Sequence, residues 1–312
     1  MPRERTRRSL PQLGEQPFIT DGGIETDLIF HHGFELPHFA AFVLLDDPVG
    51  ERALSAYYRQ YLTLARDEGV GLVLDTPTWR ASEDWGALLG YSAAALADVN
   101  RRAVALLEDL RSDAPAVVIS GCVGPRGDGD DPADEMTAAA AEAYHAPQIR
   151  SLAATTADMV TALTLTRAEE AIGIVRAAVA ADVPIAVSFT VETDGRLASG
   201  RSLLEAIEEV DAATERAAAY FMVNCAHPTH FAQVLLGGGA SVERVRGLRA
   251  NASSRSHAEL DESDELDEGD PLELAQHYRA LRGRLPQLTV LGGCCGTDRR
   301  HVAAICAACA ST

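Results

Sequence analysis

Short runs of apolar, often β-branched residues alternate along this chain with longer stretches whose apolar positions recur every three or four residues. The short runs predict strands at about 18–20, 70–74, 117–120, 159–163, 185–189, 220–223, 245–248 and 288–291. The longer stretches predict helices over about 48–68, 92–111, 134–154, 167–181, 202–217, 229–236, 271–284 and 298–309. Strand-then-helix units that repeat in this way mean parallel strands joined by helical crossovers. Eight of them in 312 residues, with no break in composition, fit a closed (β/α)8 TIM barrel better than a doubly wound α/β sheet. The open sheet would want a GxGxxG phosphate loop after its first strand, and the chain reads Asp21-Gly22-Gly23 there. The expected organisation is one barrel domain over 17–312, behind a polar leader over 1–16 that is disordered or extended.

Two connections stand out, 121–131 (GCVGPRGDGDD) after the third strand and 251–270 (NASSRSHAELDESDELDEGD) after the seventh. In a barrel both fall on the rim where loops after strands build the site. The acidic run in the second reads as a solvated loop rather than a cation site.

Charge narrows the partners. A formal net charge of −19 would repel phosphate, which excludes nucleic acid and anionic membrane. No apolar stretch approaches the length of a membrane span, and no apolar run follows the N-terminal arginines as a secretion signal would require. The expectation is a cytoplasmic protein with small-molecule partners, homo-oligomerisation being left open. All 27 basic residues are arginine, which removes lysine Schiff-base chemistry and a P-loop lysine. Six cysteines without a secretion signal point to metal or catalytic use rather than to a disulfide framework.

The strongest local signal is Gly292-Gly293-Cys294-Cys295-Gly296-Thr297-Asp298, directly after the last expected strand. Adjacent cysteines point to opposite faces of an ideal strand, so they can share a metal only where the strand breaks into a turn, and the glycines allow one. Val223-Asn224-Cys225-Ala226-His227-Pro228 ends the sixth strand. The ends of strands six and eight share one rim, so Cys225 can meet Cys294 and Cys295. Three thiolates leave one tetrahedral position open, the mark of a catalytic zinc, and soft sulfur selects zinc over magnesium or calcium. His227 is the rival ligand, read here as a surface or supporting residue. His31, His32, His38 and His145 show no metal-binding spacing. Cys306 and Cys309 share a helix face and read as packing, while Cys122 ends strand three and lines the expected pocket.

Taken together these motifs resemble the homocysteine S-methyltransferase family, including its betaine- and S-methylmethionine-dependent enzymes. The resemblance is carried by Asp21-Gly22-Gly23 with Thr26, Gly124-Pro125, Asn224-Cys225 with Pro228, and Gly292 to Gly296. Weaker matches are Tyr144-His145 with Pro147-Gln148, Ser188-Phe189-Thr190, and Asn251. It implies a zinc held by Cys225, Cys294 and Cys295, with Asn224 beside it and a thiol substrate at the open position. It further implies that Asp21, Gly22 and Gly23 contact the amino-acid end of the thiol, with Thr26 and Asn251 in the substrate site, while Asp75 after strand two fits an acidic wall for a cationic donor. The methyl donor would be a small onium compound: S-methylmethionine, S-adenosylmethionine or a betaine. Trp79 and Trp85 fit either a wall for that cation or plain packing. Other readings are a barrel of the same family with a different acceptor or a demethylase role, and a non-catalytic zinc protein.

One departure concerns the acceptor. Where the resemblance calls for ACETLP in strand four, with a glutamate for the substrate ammonium, the chain reads Thr161-Ala162-Leu163-Thr164-Leu165-Thr166. Leu163 cannot accept a hydrogen bond. Either Glu192 or Asp75 replaces the missing acid, or the acceptor thiol lacks an ammonium; the second is favoured, since neither acid lies on strand four.

Overall fold

A computed structural model describes residues 10–111, 116–128, 136–263 and 265–309. Its eight strands close into one parallel barrel in chain order. They are Phe18–Ile19 (β1), Gly71–Asp75 (β2), Val117–Val123 (β3), Met159–Leu165 (β4), Ile185–Phe189 (β5), Tyr220–Asn224 (β6), Val245–Ala250 (β7) and Val290–Gly293 (β8). The main helices are Pro48–Glu68 (α1), Ala93–Leu110 (α2), Ala138–Ala153 (α3), Ala168–Ala180 (α4), Leu203–Ala213 (α5), Pro228–Leu236 (α6), Pro271–Arg282 (α7) and Arg299–Cys309 (α8). The single (β/α)8 domain expected from the alternation is what the chain forms. Among the described residues, no helix is long and apolar enough to cross a membrane.

Helix boundaries follow local chemistry. Asp47 caps α1 by accepting from the backbone N–H groups of Val49 and Gly50, and Gly69 ends it at φ 67°, which costs glycine little. Ser202 and Glu205 close a reciprocal capping box at the start of α5.

Strand alternation creates two cores. β3 sends Val118 and Cys122 into the barrel, and turns Val117, Ile119 and Val123 out against the helices. β4 begins the same way, with Met159 and Leu163 inward and Val160 and Ala162 outward. Leu165 then also faces outward, because Thr164 takes a left-handed φ of 63° and the pairing with β5 shifts there. Nearer the strand ends the inward positions turn polar. Asp75, Ser120, Thr161, Ser188, Asn224 and Arg249 are all buried, and together they form the base of the site.

The other end of the barrel is plugged. Leu10 packs with Phe18, Val73 and Met159. Gln12 is fully buried, its Nε2 donating to Met159 Sδ at 3.1 Å and its carbonyl accepting from Thr289 Oγ1 at 2.7 Å. Of the leader expected over 1–16, residues 1–9 lie outside the described residues, whereas Leu10 to Leu13 are the floor of the barrel. Periodicity could not show this, because the segment makes its contacts with strands far away in sequence.

Gly71 has no room for a side chain: a Cβ there would stand 2.3 Å from the Phe18 ring. Gly71→Ala is therefore expected to lower stability by about 1–3 kcal/mol through overpacking. A denaturant midpoint unchanged from the parent would disprove that account.

Candidate metal centre and pocket

Cys225 follows β6 and adopts φ 57°, a left-handed conformation that turns its side chain off the strand direction and towards β8. Its backbone is held on both sides. The N–H donates to the Arg249 carbonyl at 3.1 Å, and its carbonyl accepts from Asn251 Nδ2 at 3.0 Å and from His257 Nε2. Cys294 and Cys295 leave β8 in a turn closed by Gly296 at φ 76°, where Thr297 N–H and Oγ1 both donate to the Cys294 carbonyl. The result is one cluster: the Sγ atoms of Cys225, Cys294 and Cys295 lie within 4.8 Å of one another, with Cys225 and Cys295 3.6 Å apart. Asn224 stands beside it. Its Oδ1 accepts from Thr164 N–H at 2.8 Å and Ser188 Oγ at 2.6 Å, which leaves Nδ2 to donate to Thr164 Oγ1 and, at 3.9 Å, to Cys294 Sγ. Donation from the Cys225 and Cys295 thiols, with Arg249 nearby, holds the Cys294 thiol well below its usual range.

The chain packs tightly around this turn. A Cβ on Gly23 would stand 2.5 Å from the Cys294 carbonyl oxygen, and one on Gly22 would stand 2.6 Å from that of Thr297. Thr26 Oγ1 donates to the Gly23 carbonyl and accepts from Gly296 N–H. Gly22, Gly23 and Thr26 thus clamp the exit of β1 onto the cysteine turn. A larger residue at Gly22 would displace the turn as well as any ligand.

Arg249 supplies the main electrostatic feature. Buried at the barrel mouth, it donates from Nη2 to Asp21 Oδ1 and from Nη1 to Asp75 Oδ2, each at 2.5 Å, and from Nε to the Gly293 carbonyl at 3.1 Å. Tyr57 donates to the other Asp21 oxygen, and Tyr58 to the Asp75 carbonyl. Burial raises the Asp21 carboxyl to about 6 against the pull of Arg249, and raises that of Asp75 for the same reason.

A cavity of about 440 Å³ opens over the cysteines. Asp21, Gly22, Gly23, Thr26, Asp75 and Asn251 all line it, as do Asn224 and the three cysteines. Leu163 and Cys122 face it from β4 and β3. Asn251 Oδ1 is buried and has no protein partner. Glu25, on a short helical turn after β1, also lines the cavity; burial raises its carboxyl to about 8, its own backbone N–H opposing and Cys294 adding to the shift. The outer wall holds Trp79 and Trp85, but Arg80 is wedged between them, its guanidinium carbon 3.9 and 3.7 Å from the two ring centroids. Arg80 also donates to the His38 and Gly127 carbonyls and to Asp128. The space between the tryptophans is filled by the protein's own cation.

The remaining candidates lie elsewhere. His227 is buried rather than at the surface, caps α6 and is outside the cysteine cluster; burial and two neighbouring histidines lower its pKa to about 4. His31 pairs with Asp27 and Glu268, and His32 with Asp27. His145 is buried against Glu170 at 2.8 Å. His31, Glu268 and Asp298 form a second group of potential ligand atoms, already bridged by Arg300 on both acids. Glu192 lies 3.4 Å from His257, and Cys306 and Cys309 are buried in the outer core. The acidic run after β7 is more than a solvated loop, since Leu260, Glu265, Leu266 and Asp267 face the cavity. Residues 129–131 of the other singled-out loop, and Asp264 of this one, lie outside the described residues.

Arg249 and Glu25 escaped the sequence reading. Arg249 shares β7 with a second arginine, Arg246, so its charge did not single it out, and nothing in Gly23-Ile24-Glu25-Thr26 distinguishes Glu25 from a surface acid at a helix start.

An eight-stranded barrel with three converging cysteines at the ends of β6 and β8 defines the class. The model of the homocysteine S-methyltransferases matches residues 18–309, and the chain belongs to that family. Among solved structures, the homocysteine methyltransferase MmuM from Escherichia coli shares the fold. Its metallated form is 18% identical, with 97% of this chain and 99% of that chain covered at a TM-score of 0.74. The oxidised form is 19% identical over the same shares, also at 0.74, and the apo form 17% identical at 0.68. Among curated proteins, none matches this sequence.

Removing Arg249 alone leaves two buried carboxylates unpaired. Arg249→Met is expected to cost about 3–5 kcal/mol of stability, and the triple change Asp21→Asn, Asp75→Asn, Arg249→Met to recover most of that. Equal losses in the single and triple variants, read by denaturant unfolding, would show that the charges are not what holds the mouth together.

Proposed function

We propose that this chain is a zinc-dependent S-methyltransferase, moving a methyl group from a small onium donor to a thiol, homocysteine or a close relative. The observation that carries the reading is the group of three cysteine sulfurs within 4.8 Å of one another at the wall of the cavity. Zinc fits that group. With Zn–S bonds of about 2.3 Å, a tetrahedral edge between sulfurs is about 3.8 Å, and Cys225 and Cys295 stand 3.6 Å apart. Soft thiolates suit zinc better than hard cations, and three protein ligands leave a position open towards the cavity. The family model supports methyl transfer, and the homologue from E. coli, described as a homocysteine methyltransferase with a metallated form, supports both the acceptor class and the metal.

Zinc bound there would keep a substrate thiol ionised at neutral pH, where a free thiol of pKa near ~8.5 is only about 3% ionised. The chain's own residues align the reactants. Asn224, fixed by Thr164 and Ser188, holds the Cys294 sulfur in place, and the pinned carbonyl of Cys225 does the same for its ligand. Phe30, Phe39, Leu260 and Leu266 line the mouth and limit water around the reacting atoms. The displacement itself needs no general base. A C–S bond forms on the acceptor sulfur while the donor's C–S or C–N bond breaks, and the donor departs neutral with the electron pair. Such a reaction depends on in-line positioning, which a rigid pocket supplies.

The donors that fit are S-methylmethionine, S-adenosylmethionine and a betaine. None of them can use the gap between Trp79 and Trp85 as an aromatic cage while Arg80 occupies it.

Two outcomes follow. The purified protein should carry close to one zinc per chain by elemental analysis. Cys225→Ser, Cys294→Ser and Cys295→Ser should each lose most of it, and Cys306→Ser or Cys309→Ser none; full retention in Cys225→Ser would remove the basis of the reading. The zinc-loaded protein, given the three donors and a panel of thiols, should produce an S-methylated thiol detectable by mass spectrometry. Chelation should abolish that product and added zinc restore it. A loaded protein that methylates no thiol from any of these donors would refute the assignment.

A further inference from the structure

We infer that Glu25 is the substrate-binding residue that receives the ammonium group of an amino-thiol acceptor, doing from the exit of β1 what strand four, with Leu163, cannot do. The inference rests on the thiol-methylating reading above and names the substrate class of that site.

The acids that line the cavity are not equivalent. Asp21 and Asp75 are both held by the Arg249 guanidinium, Asp128 is held by Arg80, and Glu265 is exposed to solvent at the rim. Asp267 accepts from Ser253 and from the Gly269 N–H. Glu192, the other acid considered from sequence, faces His257 and does not line the cavity. Glu25 does line it, is only partly buried, and pairs with no basic side chain among the described residues. It shares the cavity wall with Cys294 and Cys295 after β8, with Cys225 after β6 and with Cys122 on β3. Glu25 and the three clustered cysteine sulfurs therefore face the same enclosed space.

Ionising a carboxyl group in a cavity shared with cysteine sulfurs and two further acids is costly while the pocket is empty, so burial favours its protonated form there. A cationic ligand group offsets that cost. Two cations are available in the proposed reaction, the ammonium of an amino thiol and the onium centre of the donor, and the chemistry favours the first. The onium charge disappears as the methyl group leaves, so a carboxylate beside it would stabilise the ground state more than the transition state and slow transfer. An ammonium keeps its charge throughout, and a carboxylate that binds it does so at no expense to the barrier. Leu163, which lines the same cavity from β4, offers that group no carboxylate.

The test compares homocysteine with 4-mercaptobutyrate, which has the thiol and carboxylate but no ammonium. Binding is read by calorimetry on zinc-loaded protein, followed by steady-state kinetics with S-methylmethionine. In Glu25→Gln, which keeps the size of the side chain, homocysteine affinity should fall by about 30-fold or more. Affinity for 4-mercaptobutyrate should stay within about threefold, with zinc content and the KM of the donor unchanged. Glu25→Asp, which keeps the charge, should still prefer homocysteine. Equal effects on the two thiols, no effect on either, or a rise confined to the donor KM would each overturn the assignment; the last would give Glu25 to the onium group. A parent protein that binds zinc but neither thiol would refute the function proposed above and this inference with it. Tight homocysteine binding by both parent and Glu25→Gln would refute the inference alone.

Discussion

Arg249 reaches across the mouth of the barrel from β7 to Asp21 at the exit of β1 and Asp75 at the end of β2, and touches the Gly293 carbonyl of β8 on the way. Strand ladders hold neighbours together, and this guanidinium ties the ends of β7, β8, β1 and β2 at the level where the site is built. The segment after β1 has only two paired residues behind it, and the ion pair to Asp21 fixes where it starts. From there Gly22 and Gly23 lie against the carbonyls of Thr297 and Cys294, and Thr26 closes onto Gly296. The cysteine turn therefore owes its position to a charge cluster as well as to the sheet. Such a cluster is stable only when complete, because each member has been moved out of water and depends on the others for compensation.

Much of this was legible beforehand and some was not, for identifiable reasons. The strand and helix units followed from periodicity, since each apolar face had to be buried by a neighbour in the same barrel. The cysteine motifs stood out because adjacent cysteines among glycines have few uses. The turn of phase at Thr164 was hidden: a single left-handed residue in Thr161 to Thr166 looks, as sequence, like an uninterrupted strand. The pairing of Arg249 with acids far away along the chain was hidden for another reason, namely that a salt bridge across a closed barrel has no sequence spacing to betray it. The same holds for Gln12 beneath the barrel and for Arg80 between two tryptophans whose aromatic faces had suggested a ligand.

The left-handed residues of β4 and β6 form one device. Thr164 and Cys225 both sit at positive φ, and Asn224 lies between them, bonded to the Thr164 backbone and side chain and to Ser188. Non-glycine residues hold such conformations when surrounding bonds overdetermine them. Here the bonds around Asn224 and the Cys225 carbonyl supply that restraint, and the sulfur is aimed by backbone geometry and not by a freely chosen rotamer. Cys225 is thus aimed by the fold itself.

The three cysteines come from β6 and from the turn after β8, and the last strand also pairs with the first. No contiguous fragment that stops short of β8 contains the complete ligand set. During synthesis Cys225 therefore leaves the ribosome well before Cys294 and Cys295, and the cluster of three sulfurs arises only as the ring of strands is sealed. A metal held by that cluster would be captured late in the chain's biogenesis, and would draw the folding equilibrium towards the closed ring by binding only that state tightly.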